Sequence, residues 1–154
     1  MSRSLAIFLA AGGSAALLAG AFVFQYLGGL APCHLCLLQR WPHAAAALIG
    51  VVALLLPGRL IPLAGALAAG TTAALGLYHT GVERQWWKGP NTCTSGDIST
   101  LSVGDLTDQL LANTTVVQCD QVAWQMFGLS MASWNMLASL LLVALWLAAA
   151  RKSG

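Results

Sequence analysis

The chain has 154 residues, 58% of them hydrophobic and 8% charged, with a formal net charge of +2. A soluble globular protein carries about 25% charged residues, so this chain has too few to keep a folded surface in water. It has no basic patch that would suit nucleic acid and no glycine-rich phosphate loop, and its length is that of one domain, 1–154.

Four apolar stretches run over residues 5–30, 37–56, 60–79 and 131–150. Each approaches or exceeds the roughly 20 residues that a helix needs to cross a hydrocarbon core about 30 Å thick. The first follows Arg3 and resembles a signal peptide in outline. Its apolar run is far longer than the roughly 7–15 residues of a signal core, so it is read as a span. The fold expected is all-α and membrane-integral: a bundle of four transmembrane helices forming a single domain.

Lysine and arginine near the helix ends set the orientation. Four crossings put Arg3, Arg59, Arg151 and Lys152 on one side, with no carboxylate there. The other side holds Arg40, Arg84 and Lys88 against five carboxylates. Both termini are therefore expected in the cytoplasm. Loops 31–36 and 81–130 then face outward, which in a bacterial inner membrane is the periplasm. Within the longer loop, Leu101, Val103, Leu106, Leu110 and Leu111 are spaced as in a short amphipathic helix lying on the membrane surface. Trp86, Trp87, Trp124 and Trp134 fall at the outer interface and read first as an aromatic belt, second as a cofactor wall.

All four cysteines, Cys33, Cys36, Cys93 and Cys119, lie on that outer side, where disulfides persist. The first two form the motif Pro32-Cys33-His34-Leu35-Cys36. A Cys-x-x-Cys pair makes a small, exchangeable disulfide. The second span starts at or just after it, so unpaired helical N–H groups favour a thiolate nearby. Pro42, which fits best in a first helical turn, puts the helix start nearer Leu38 than Cys33. Arg40 lies four residues beyond Cys36, and no Asp or Glu precedes Glu83. This cation at the membrane edge therefore needs a partner other than a local carboxylate, either lipid phosphate or a ligand oxygen or thiolate. His43 would share a helical face with Cys36 and Arg40 and reads as a packing histidine. His79 closes the third span at the same depth, where it can donate a hydrogen bond to a carbonyl oxygen. Cys93 and Cys119 sit in the long polar loop, within reach of a protein partner, and four cysteines allow three connectivities.

The chain resembles the DsbB family of bacterial disulfide-bond formation proteins. The resemblance rests on Pro32-Cys33-x-x-Cys36-x-x-x-Arg40, on His79-Thr80, on the Cys93 and Cys119 loop, and on Cys119-x-x-x-x-Trp124-x-x-x-Gly128-x-x-Met131-x-x-Trp134. It covers nearly the whole chain. It implies an enzyme, a protein-disulfide oxidoreductase that passes electrons to a membrane quinone, ubiquinone or menaquinone. A periplasmic DsbA-like thioredoxin-fold dithiol would attack a Cys93–Cys119 disulfide at Cys93, giving a mixed disulfide. Cys119 would pair transiently with Cys33, and Cys36 would be freed against the quinone. Arg40, with His79 as a second contact, would bind the quinone. A monomer is expected.

Two features depart from the family pattern. Gln39 stands where family members commonly carry an acidic residue, and the Cys93 loop is short of aromatics near the cysteine. Other readings fit less well. A vitamin K epoxide reductase-like protein places its Cys-x-x-Cys on the last span. A four-cysteine metal site would face an oxidising compartment without a second Cys-x-x-Cys, so no metal is expected. A scaffold stapled by structural disulfides has no need of Arg40.

Overall fold

A computed structural model describes residues 1–90 and 118–152. Its helices are α1 (Arg3–Tyr26), α2 (His34–Leu55), α3 (Leu60–Glu83) and α4 (Met131–Arg151), with strands β1 (Gln125–Met126) and β2 (Leu129–Ser130) just before α4. All four helices are long and apolar enough to cross a membrane. The architecture is therefore the expected all-α, four-span one. Cys93 and the expected amphipathic helix lie outside the described residues.

Polar caps start three of the helices. Ser2 Oγ accepts from the Leu5 N–H at 3.2 Å, and Ser130 Oγ accepts from the Ser133 N–H at 3.2 Å. At α2 the cap is Cys33 itself, whose Sγ accepts from the Cys36 N–H at 3.2 Å. The helix thus begins at His34, not near Leu38, and Pro42 lies inside it. Pro42 cannot donate to the carbonyl one turn back. The Thr72 hydroxyl supplies a cross-helix donor near this interruption, 3.4 Å from the Gln39 carbonyl, as neighbours do around prolines in membrane helices. At the other end of α2, Arg3 donates to the carbonyls of Ala53 and Leu56 at 2.8 and 2.9 Å, which have few helical partners left.

The strands pair antiparallel, Gln125 with Ser130 and Met126 with Leu129. Phe127 and Gly128 both have positive φ, 52° and 75°. Two such residues in succession match a tight hairpin turn, in which glycine relieves one position. The hairpin leads directly into the Ser130 cap, and the Trp134 indole N–H donates to the Met126 carbonyl at 3.1 Å.

Each helix packs on its chain neighbours and α4 closes on α1, while α1 and α3 face each other across the diagonal. The centre is built from small residues around one large one: Ala6, Ala10, Ala53, Ala66, Ala69 and Ala149 surround the fully buried Trp146. Lipid is as apolar as leucine, so membrane helices associate by close van der Waals fit and favour small contact residues. Large apolar side chains instead face outward, among them Leu48, Leu55, Leu67 and Leu141.

Gly50 shows how tight the fit is. A Cβ there would sit 2.1 Å from the Ala11 Cβ, so one helix would have to move. Gly50→Ala is expected to destabilise the bundle by about 1–3 kcal/mol, as overpacking typically does. Thermal unfolding in detergent, followed by tryptophan fluorescence, checks this through a lowered midpoint.

Candidate functional site

One end of the bundle gathers the chemistry. The last turn of α1, the first turns of α2 and α4 and the last turns of α3 meet there, covered by residues 118–130. Among them lies a cavity of about 350 Å³, walled by Cys33, Cys36, Arg40, His79, Glu83 and Trp124 among others. Its lining is mostly apolar, from α1 side chains such as Ala21 and Phe24 to Met126 and Met131.

Cys33 and Cys36 are free thiols with sulfurs 2.9 Å apart. Cys33 is the donor in that contact. This hydrogen bond and then burial push its thiol far above the ordinary range, so Cys33 keeps its proton and Cys36 accepts the hydrogen bond. Cys36 lies in the first turn of α2, where free N–H groups and the helix dipole favour negative charge.

Cys119 is disulfide-bonded and fully buried. The sequence suggested an accessible loop cysteine. Instead its sulfur packs against the membrane-edge pair: Cys33 Sγ, Cys119 Sγ and a ring nitrogen of His79 all lie within 4.8 Å of one another. Cys93 lies outside the described residues.

Arg40 is one turn beyond Cys36, and the missing carboxylate is replaced by neutral groups of α1. Its Nη1 donates to Gln25 Oε1 at 2.6 Å and its Nη2 to the Ala21 carbonyl at 3.4 Å. The guanidinium lies 4.8 Å above the Phe22 ring, a favourable cation–π position. Its Nε is buried without a partner among the described residues.

His79 Nε2 is 3.6 Å from Cys33 Sγ and 3.9 Å from Glu83 Oε1. Glu83 also accepts from the Ser130 hydroxyl. In the sequence Glu83 reads only as one of the outer-side charges. It belongs to the site because α3 runs one turn beyond His79, which stacks the two residues on one face. The His-x-x-x-Glu spacing was the available signal.

His43 and Gln39 are likewise more than packing. Asn135 of α4 accepts from His43 Nε2 at 2.8 Å and donates to Gln39 Oε1 at 2.6 Å. Gln39 Nε2 is 3.1 Å from both the Leu35 carbonyl and His79 Nδ1. His43 also lines the cavity, on the expected face with Cys36 and Arg40. The four tryptophans divide: Trp86 and Trp87 are exposed as in an interfacial belt, whereas Trp124 and Trp134 line the cavity.

A family model described as "Disulfide bond formation protein DsbB" matches residues 2–149. The chain belongs to the DsbB family. Among DsbB relatives, it is 34% identical over 136 residues to the disulfide bond formation protein B of Methylococcus capsulatus, covering 82% of this chain and 80% of that one. It is 33% identical over 157 residues to the protein of the same name from Azoarcus sp., covering 90% of this chain and 87% of that one. No solved structure matches the chain.

Proposed function

We propose that the chain is a quinone-dependent protein-disulfide oxidoreductase of the bacterial inner membrane, reoxidising a periplasmic DsbA-like thioredoxin-fold partner. The observation that carries this reading is the approach of Cys119 Sγ to Cys33 Sγ on the wall of a largely apolar cavity that also contains Arg40.

The cavity residues fit a quinone. The volume lies within the roughly 300–1,000 Å³ of small-molecule sites, the apolar wall suits an apolar ring, and the unpartnered Arg40 Nε is a spare donor for a ring oxygen. Arg40 would hold the quinone, with Trp124 and Trp134 as walls and His79, the expected second contact, on the same surface. A bound quinone would supply the two-electron acceptor.

The protein's own part is thiolate exchange. The partner thiolate would attack Cys93 Sγ, breaking a Cys93–Cys119 bond and leaving its electron pair on Cys119. The burial of Cys119 supports entry at Cys93. Cys119 would then attack Cys33 Sγ of an oxidised Cys33–Cys36 pair. That forms the Cys119–Cys33 bond and leaves the electron pair on Cys36, beside Arg40 and the α2 N-terminus. Two pairs serve because partner and acceptor occupy different phases. The bundle end bearing Arg3, Arg59 and Arg151 would face the cytoplasm.

The Cys33, His79 and Cys119 trio also has the spacing of metal ligands. Its donor set favours sulfur exchange instead. Cys119 is in a disulfide, and His79 Nδ1 already accepts from Gln39, whereas a histidine bound to metal through Nε2 donates a proton from Nδ1.

The deciving experiment mixes detergent-purified protein, a reduced thioredoxin-fold dithiol and either ubiquinone or menaquinone, and follows quinone absorbance in the ultraviolet. Quinone loss that requires both the protein and the dithiol is the expected result. Absence of turnover with every pairing would refute the proposed activity.

A further inference from the structure

The buried amides around His79 fix which of its nitrogens carries the proton. The Leu35 carbonyl can only accept, so the Gln39 atom 3.1 Å from it is the NH₂ group. That same nitrogen is 3.1 Å from His79 Nδ1, which must therefore be the acceptor. Gln39 cannot turn over without facing its oxygen toward the Leu35 carbonyl. It is also held from behind: its Oε1 accepts from Asn135 Nδ2 at 2.6 Å. Asn135 is held in turn, its Oδ1 accepting from His43 Nε2 at 2.8 Å. Gln39 and His79 are both buried, so water does not compete for these positions.

A neutral imidazole whose Nδ1 accepts carries its one proton on Nε2. That N–H lies 3.6 Å from Cys33 Sγ and 3.9 Å from Glu83 Oε1, with the Cys119 backbone carbonyl as a hydrogen-bond acceptor of the ring and the Cys119 sulfur in the same cluster. We infer that Gln39 is a positioning residue that locks His79 in the Nε2–H tautomer, so that its single N–H is held on the Cys33 and Cys119 side, between the Cys33 sulfur and the Cys119 backbone carbonyl, during their exchange and not on a quinone oxygen. This rests on the proposed relay and deepens it. When Cys119 is released as a thiolate, the N–H steadies its negative charge beside Cys33. When Cys119 attacks, the charge moves to Cys36, outside this donor's trio and next to Arg40. No proton needs to leave His79, and each exchange conserves the electron pair.

The test reads the tautomer directly. In ¹⁵N-histidine-labelled protein in detergent, with His79 assigned by its loss in His79→Asn, long-range ¹⁵N–¹H spectra distinguish protonated from bare ring nitrogens. The expected wild-type pattern is a bare Nδ1 and a protonated Nε2. In Gln39→Glu the new carboxylate accepts from the ring, and Nδ1 should become protonated. A wild-type His79 with protonated Nδ1, or a Gln39→Glu spectrum identical to wild type, would overturn the inference. Gln39→Leu, which removes the amide that holds Nδ1 as an acceptor, should lower turnover with a protein dithiol by roughly tenfold, the order of one directed hydrogen bond, without changing the quinone KM. A raised quinone KM at unchanged maximal turnover would place the His79 N–H on the quinone and also overturn it. If no quinone turnover exists at all, the proposed function fails, while the spectra still decide the tautomer.

Discussion

Cys119→Ser is expected to abolish turnover with a protein dithiol, to the uncatalysed background, while sparing reduction of the acceptor by a small membrane-permeant dithiol. Cys119 is the only loop cysteine placed against the inner pair among the described residues, with its sulfur within 4.8 Å of Cys33 Sγ. Serine keeps the shape but offers no thiolate for disulfide exchange. A small dithiol can reach the partly exposed Cys36 without the handover, although it lacks the proximity that docking provides. The comparison separates a relay from a staple. A purely structural disulfide predicts lowered thermal stability with both dithiols affected alike. Full turnover with the protein dithiol in Cys119→Ser would remove the handover from the mechanism.

The four spans and the cysteine-bearing end were legible because each depends on local sequence. A run of 20 apolar residues has few other places to go, and the Cys-x-x-Cys followed by Arg40 is read along one helix. The α2 start lies earlier than Pro42 suggests because the cap outweighs the proline. Cys33 accepts from the Cys36 N–H as serine would at an N-cap, and packing then carries the helix through the proline. The Gln125–Ser130 hairpin left a fainter trace, since Phe127 at positive φ has no sequence signature and only Gly128 marks the turn.

The polar partners were hidden for a different reason. Gln25, Asn135 and Thr72 are visible as polar residues in apolar helices, and such groups hydrogen-bond across helices. Which pairs meet depends on the rotation of each helix about its axis, which no single segment encodes. Glu83 leaves little trace in the sequence because hydropathy falls after His79. The helix continues nonetheless, with Thr80, Gly81 and Val82 buried, and that one extra turn brings the carboxylate under the imidazole. The depth of Cys119 is a tertiary fact of the same kind: a polar loop sequence gives no sign that its cysteine is covered.

Arg40→Ala is expected to raise the quinone KM by roughly 10- to 100-fold, the equivalent of about 1.5–3 kcal/mol for hydrogen bonds involving a charged group. It should also slow alkylation of Cys36 by iodoacetamide, because the nearby cation favours the reactive thiolate. Arg40 has a structural task as well, tying α2 to Gln25, Ala21 and Phe22 of α1, so loss of the side chain alone would confuse the two roles. Two further variants separate them. Gln25→Ala removes the tether and keeps the cation, and should change the unfolding midpoint more than the KM. Arg40→Lys keeps the charge but loses the planar fork. It should restore the alkylation rate while leaving the KM raised, because charge alone serves the thiolate whereas a ring oxygen needs a donor at a set position. An unchanged quinone dependence in a folded Arg40→Ala protein would take Arg40 out of the binding site and leave it as a helix tether.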